Sequence, residues 1–141
     1  MPRWSFFDFQ DAAGSNLIET WLNSKEVPLS DREDVRRTLR ARLEAHQNTD
    51  LEPPQFKPLH GVLAGLVEIK LKVGGTLYRP IVWIGPGRGE VTILVGAKER
   101  NGRFVPKEAV INGRAWERQA LIIRDRRYIT PHVYTKRESN S

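Results

Sequence analysis

In the stretch EIKLKVGGTLYRPIVWI, residues 68–84, two cations are set to face one another. Val67, Ile69, Leu71 and Val73 alternate with Glu68, Lys70 and Lys72, the period of a strand with one apolar face. Gly74 and Gly75 suit a two-residue turn that needs positive φ. A hairpin closed there puts Val73 across from Thr76, Leu71 across from Tyr78, and Lys70 across from Arg79. Like charges directly opposite destabilise a sheet. Solvation limits the penalty to about 0.5 kcal/mol, while an anion held between Lys70 and Arg79 would turn the pair into a binding site. The residues themselves leave both readings open.

The charge of the chain is polarised in the same direction. Residues 1–60 carry 8 Lys and Arg against 10 Asp and Glu, and residues 61–141 carry 15 against 7. A basic second half favours a polyanion such as RNA or DNA, although an ordinary domain with a basic helix has the same signature. The 141 residues suffice for one domain with a core of its own. No apolar run approaches the roughly 18 residues of a membrane span, and the amino terminus meets acidic residues too early for a signal peptide. With no cysteine for disulfides or zinc, a cytoplasmic protein without membrane association is expected. His46, His60 and His132 are too scattered to suggest a metal site, and no cofactor is implied.

The elements that must position these cations follow from periodicity. RWSFFDF reads as an opening strand, and Asp11 or Ser15 can cap a short helix in which Leu17, Ile18, Trp21 and Leu22 recur at helical spacing. SDREDVRRTLRARLEAHQ opens with a capping box, Ser30 with Glu33, and buries Val35, Leu39 and Leu43 on a narrow stripe below an Arg-rich solvated face. NTDLEPPQFKPLHG is a polar, proline-rich connection. The hairpin, the GPGRG turn and EVTILVG then make a three-stranded meander, in which Pro80 implies a bulge or an edge. From Pro106 a helix should run with Ile111, Ala115 and Ile122 near one face. Residues 128–141 read as a C-terminal tail whose last residues are mobile. There is no internal repeat. The layout is α+β, a mostly antiparallel sheet with helices on one face and cations on the other.

At this point the residues meet a family. LHGVLAGLVEIKL, GGTLYRPIVWI and EVTILVGAKERNGRFVPKEAV resemble the RelE/HigB superfamily of toxin–antitoxin ribonucleases, especially its HigB-like, phage-associated branch. The motifs are a GL-x-E-[IL]-[KR] strand, a YR on the next strand, and a G-x-K strand end followed by a short basic loop and a P-K-E-[AI] helix start. The resemblance spans roughly residues 4 to 120. It implies a single RelE-like domain over 1–127 and cleavage of messenger RNA, which many members cut only in the ribosomal A site. It also implies a small antitoxin, of helix-turn-helix type, that masks the basic face.

Carried over residue by residue, the resemblance makes Lys70, Arg79 and Lys98 the catalytic set, with Lys72, Arg100, Arg103 and Phe104 as RNA-binding residues. The implied reaction is attack of a ribose 2′-OH on the adjacent phosphorus, giving a 2′,3′-cyclic phosphate and a 5′-OH without a metal. Arg79 and Lys98 would stabilise the phosphorane charge. Lys70 would serve as base, with Glu68 as alternative base or as the ion-pair partner of Lys70 and Lys72. Phe104 stands where some members place a tyrosine; phenylalanine stacks but moves no proton. His60 and His132 would supply acid–base capacity if folded towards the site. The alternative is the same fold without the chemistry, an RNA- or protein-binding module of phage or prophage origin, and Phe104 and Pro80 favour it.

Overall fold

The computed structural model describes residues 3–133. In chain order the elements are β1 (Ser5–Phe9), α1 (Leu17–Leu22), α2 (Leu29–Ala45), β2 (Phe56–Pro58), β3 (Val67–Ile69), β4 (Leu71–Val73), β5 (Thr76–Tyr78), β6 (Ile81–Ile84), β7 (Glu90–Val95), β8 (Lys98–Arg100), β9 (Arg103–Val105), α3 (Glu108–Arg124) and β10 (Ile129–Pro131). The class is α+β, with three helices and mostly antiparallel pairing; β1 runs parallel to β7. No helix among the described residues is long and apolar enough to cross a membrane.

The expected meander is present, but each of its strands turns a corner. β3, β6 and β7 lie in a six-stranded sheet, β10-β1-β7-β6-β3-β2, whereas β4, β5 and β8, which follow them or precede them along the same chain paths, lie with β9 in a second sheet, β4-β5-β8-β9. The breaks fall at Lys70, at Arg79–Pro80 and at Gly96–Ala97. They line up across the strands. Glu68 pairs with Ile81 and Leu71 with Tyr78, which leaves Lys70 opposite Arg79, and the Arg79 amide donates to the Ala97 carbonyl at 2.8 Å. Pro80 has no amide to give the ladder, and the register slips between Ile81 and Val82, the irregularity its position implied. Gly74 and Gly75 have φ of 58° and 81° and close the hairpin in the expected register.

Helices cover both faces of the sheet, which corrects the expectation of a single helical face. Ile18, Trp21, Val35, Leu39 and Leu43 of α1 and α2 pack with Phe6, Ile69, Leu71, Val82, Val91 and Ile93. Ile111, Ala115 and Ile122 of α3, the apolar positions expected from spacing, pack with Phe9, Ile81 and Leu94 on the other side. The reason is legible in β7 itself: EVTILV is buried almost from end to end, as a strand with no solvent face must be.

Local details at the helix ends also differ. Asn16, rather than Asp11 or Ser15, caps α1 by accepting from the amides of Ile18 and Glu19; Asp11 instead accepts from Ala13 and Ser15 in the preceding turn. The Ser30–Glu33 capping box does not form, because α2 begins at Leu29 behind Pro28 and Ser30 is already inside the helix. α3 begins at Glu108, two residues after Pro106. Phe56–Pro58, within the polar connection, pairs with β3 at the sheet edge. The segment read as a tail supplies β10, which pairs with β1, and His132 beyond it holds Asp8 through Nδ1 at 2.9 Å. The mobility expected of the last residues concerns 134–141, outside the described residues.

Candidate nucleic-acid interface

The corner holds Arg79 in a clasp. Its Nε donates to Glu68 Oε2 at 2.5 Å, Nη2 to Glu68 Oε1 at 2.8 Å and Nη1 to Glu99 Oε1 at 3.1 Å. Its guanidinium carbon lies 4.0 Å from the centroid of the Phe104 ring. Glu68 is fully buried and the Arg79 side chain is 15% exposed. The hydrogen bonds that Arg79 donates to Glu68 raise its pKa further, outweighing burial, so the group stays a cation. The charge opposite Lys70 is therefore offset by carboxylates of the protein itself. Glu68 partners Arg79, not Lys70 and Lys72 as its place on the strand suggested, and with both oxygens engaged and no exposure it is not placed to act as a base. A guanidinium has five N–H groups, so three bonds leave Arg79 two for a ligand.

Side-chain parity sorts the remaining cations. Lys70 and Arg79 are opposite one another and share a face. Glu99 pairs with Phe104 on that same face, as their contacts with Arg79 require. Lys98 pairs with Tyr78, and directly opposed residues point the same way. Tyr78 belongs to the α1–α2 core, so Lys98 takes the face away from Arg79, where it is 9% exposed. The three cations of the expected catalytic set thus do not converge. Lys72 is exposed on β4, and Arg100 and Arg103 are exposed and paired across the β8–β9 turn.

What converges instead is a cleft of about 730 Å³ between the β8–β9 hairpin and the start of α3, lined by Arg79, Gly102, Arg103, Phe104, Lys107 and Glu108. The hairpin positions it. Asn101 and Gly102 have φ of 53° and 77°, the primed turn that Asn-Gly specifies, and the pairing swings Phe104 back over Arg79. Asn-Gly between two short runs was the available signal for this hairpin, read from the sequence as a loop. Lys107, the residue before α3, was passed over because it sat within a motif for a helix start.

The histidines lie elsewhere. His60 is exposed before the 3-10 turn Gly61–Leu63, and His132 is buried against β1, two strands removed from β6. Among the described residues no group of three or more His, Asp and Glu could hold a metal ion. Against protein-family models, curated proteins and solved structures the chain has no match.

Proposed function

We propose that the chain is a metal-independent endoribonuclease acting on single-stranded messenger RNA, the toxin of a toxin–antitoxin pair. The observation that carries the reading is the cleft, whose lining includes Arg79, Arg103 and Lys107, the carboxylate of Glu108 and the Phe104 ring. Cations that track a phosphate backbone beside an aromatic ring that stacks a base are what single-stranded RNA binding needs. Arg79, oriented by Glu68 and Glu99, offers its two remaining N–H groups to a phosphate without reorganising. Lys70, on the same face and with no ion pair among the described residues, serves the 2′-OH. Lys107, at the rim of the cleft, supplies the charge that the resemblance assigned to Lys98. The ribosome and an antitoxin covering the cleft belong to the same reading.

A second reading, an RNA-binding module without chemistry, is favoured by the compensation of Arg79 by two carboxylates. Primer extension on a messenger in a translating bacterial extract separates them. Discrete new 5′ ends with wild type that vanish with Lys70→Ala, while that variant still binds RNA, support the nuclease. An intact messenger at high protein concentration, with RNA binding that Arg103→Ala/Lys107→Ala weakens, supports the module. No RNA binding by wild type removes both. Arg79→Ala is a poor test of chemistry, because it leaves Glu68 buried without its partner.

A further inference from the structure

The cleft at the sheet corner holds charges of both signs that the protein leaves unused. Arg103, Lys107 and Glu108 all line it and all are exposed, yet none of the three forms an ion pair among the described residues. Glu108 stands in the first turn of α3, where the helix dipole favours a carboxylate. That accounts for its place on the helix, but not for its place in a cleft that Arg79, Arg103 and Lys107 also line. A surface built for phosphates alone gains nothing from a negative charge beside them. The Glu108 oxygens call for a donor that arrives together with the phosphates.

A nucleic-acid base supplies such a donor. Phe104 is half-buried and lines the same cleft, with the Arg79 guanidinium against its ring. Single-stranded bases are read by stacking on an aromatic ring and by hydrogen bonds along their free Watson–Crick edge. The edges differ in what they show a carboxylate. Guanine presents two adjacent donors, N1–H and the N2 amino group, which match the two carboxylate oxygens as a guanidinium does. Adenine and cytosine set one amino donor beside a bare ring nitrogen, and uracil sets one N–H between two carbonyls. Each of those three turns a lone pair towards the carboxylate.

We propose that the cleft selects guanine, with Phe104 stacking the base, Glu108 accepting from N1–H and from the N2 amino group, and Arg79, Arg103 and Lys107 holding the adjoining phosphates. The proposal rests on the reading of the cleft as an RNA interface and adds the base that it prefers. The volume of about 730 Å³ lies within the roughly 300–1,000 Å³ of small-molecule sites, room for a nucleotide. Glu108, Arg103 and Lys107 are on the surface, so a ligand reaches them without any opening of the core.

The test is fluorescence anisotropy of the intact protein with labelled oligomers of about seven uridines whose central base is guanine, hypoxanthine, adenine, cytosine or uracil. Every nucleotide carries a 2′-O-methyl group, so the attacking hydroxyl is blocked and binding is read apart from cleavage. Wild type should bind the guanine oligomer about tenfold or more tightly than those with adenine, cytosine or uracil, the worth of a charged hydrogen bond or more. Hypoxanthine, which keeps N1–H but lacks the N2 amino group, should fall in between. Glu108→Gln should weaken binding of the guanine oligomer and slightly strengthen the others, because it removes a charge that repels phosphate. Glu108 is exposed, so the variant should keep its fold. Binding by wild type that ignores the central base, or prefers another one, overturns the inference and leaves the RNA interface standing. So does a guanine preference that survives in Glu108→Gln. No binding of any oligomer removes the RNA interface, and the inference with it.

Discussion

Two arginine sites in this chain are built on opposite principles. At the corner of the sheets, Arg79 is enclosed by Glu68, Glu99 and Phe104. Between α1 and α3, Arg114 and Arg118 stand together with no ion pair among the described residues, next to a buried indole donor and a buried carboxylate oxygen that have no partner among those residues. The first arrangement is charge-compensated within the protein and holds strands together, with two guanidinium N–H groups left over. In the second, two like charges sit one helical turn apart with no ion pair among the described residues. A cluster of cations therefore does not identify a binding site by itself; what matters is which of their partners the fold already supplies.

Perturbing the corner should have the largest effect on stability. Glu68→Ala leaves Arg79 largely buried without its main partner, and about 3–5 kcal/mol of stability should be lost. Urea unfolding would show a lower midpoint at unchanged slope, and a loss below about 1 kcal/mol would mean that the clasp is not structural. Gly96→Ala comes next. The added Cβ collides with the Trp21 ring, so about 1–3 kcal/mol should go, together with a shifted Trp21 indole resonance. A variant as stable as wild type would show that Trp21 can move.

A smaller effect tests the covered face of the corner. The Tyr78 hydroxyl donates to Asp31 at 2.9 Å, and burial, followed by Asp31, pushes its pKa from 10.0 up to about 12. The fold favours the protonated phenol, so this stabilisation is complete below pH 10 and is lost as pH rises from 10 to about 12. Phenolate absorbance should show one late-titrating tyrosine that Tyr78→Phe removes; tyrosines that all titrate together would contradict the assignment. Least of all should Lys107→Ala matter to the fold, being exposed at the cleft rim. In RNA binding it should flatten the salt dependence by about 0.7 in log–log slope, the share of one phosphate contact. An unchanged slope would take Lys107 out of the interface.

Elements were legible where their signal is local. The Gly74-Gly75 turn and the spacing of Ile111, Ala115 and Ile122 reproduce what the structure contains, and so does the apolar face of 67–73, although that strand breaks at Lys70 and Glu68, expected on its solvent face, is buried. Asn101-Gly102 had an equally local signal and could have been read as a hairpin. β2 and β10 could not, since three-residue edge strands are held by main-chain pairing with β3 and β1 and carry little pattern. The Glu68–Arg79 contact was half visible. Glu68 pairs with Ile81, two residues from Arg79, and such diagonal neighbours are within reach of long side chains.

The sequence by itself determined the strand periods, the register of the central hairpin and the apolar stripe of each long helix, because these depend on neighbours in the chain and on turn chemistry. Only the tertiary structure decided that both faces of the sheet are covered, that two carboxylates neutralise Arg79, and that Lys98 points away from it. Those outcomes turn on how β5 registers against β8 and on which helix lands on which face. Both are settled by burial between segments far apart in sequence, where a shift of one residue exchanges every side chain between faces.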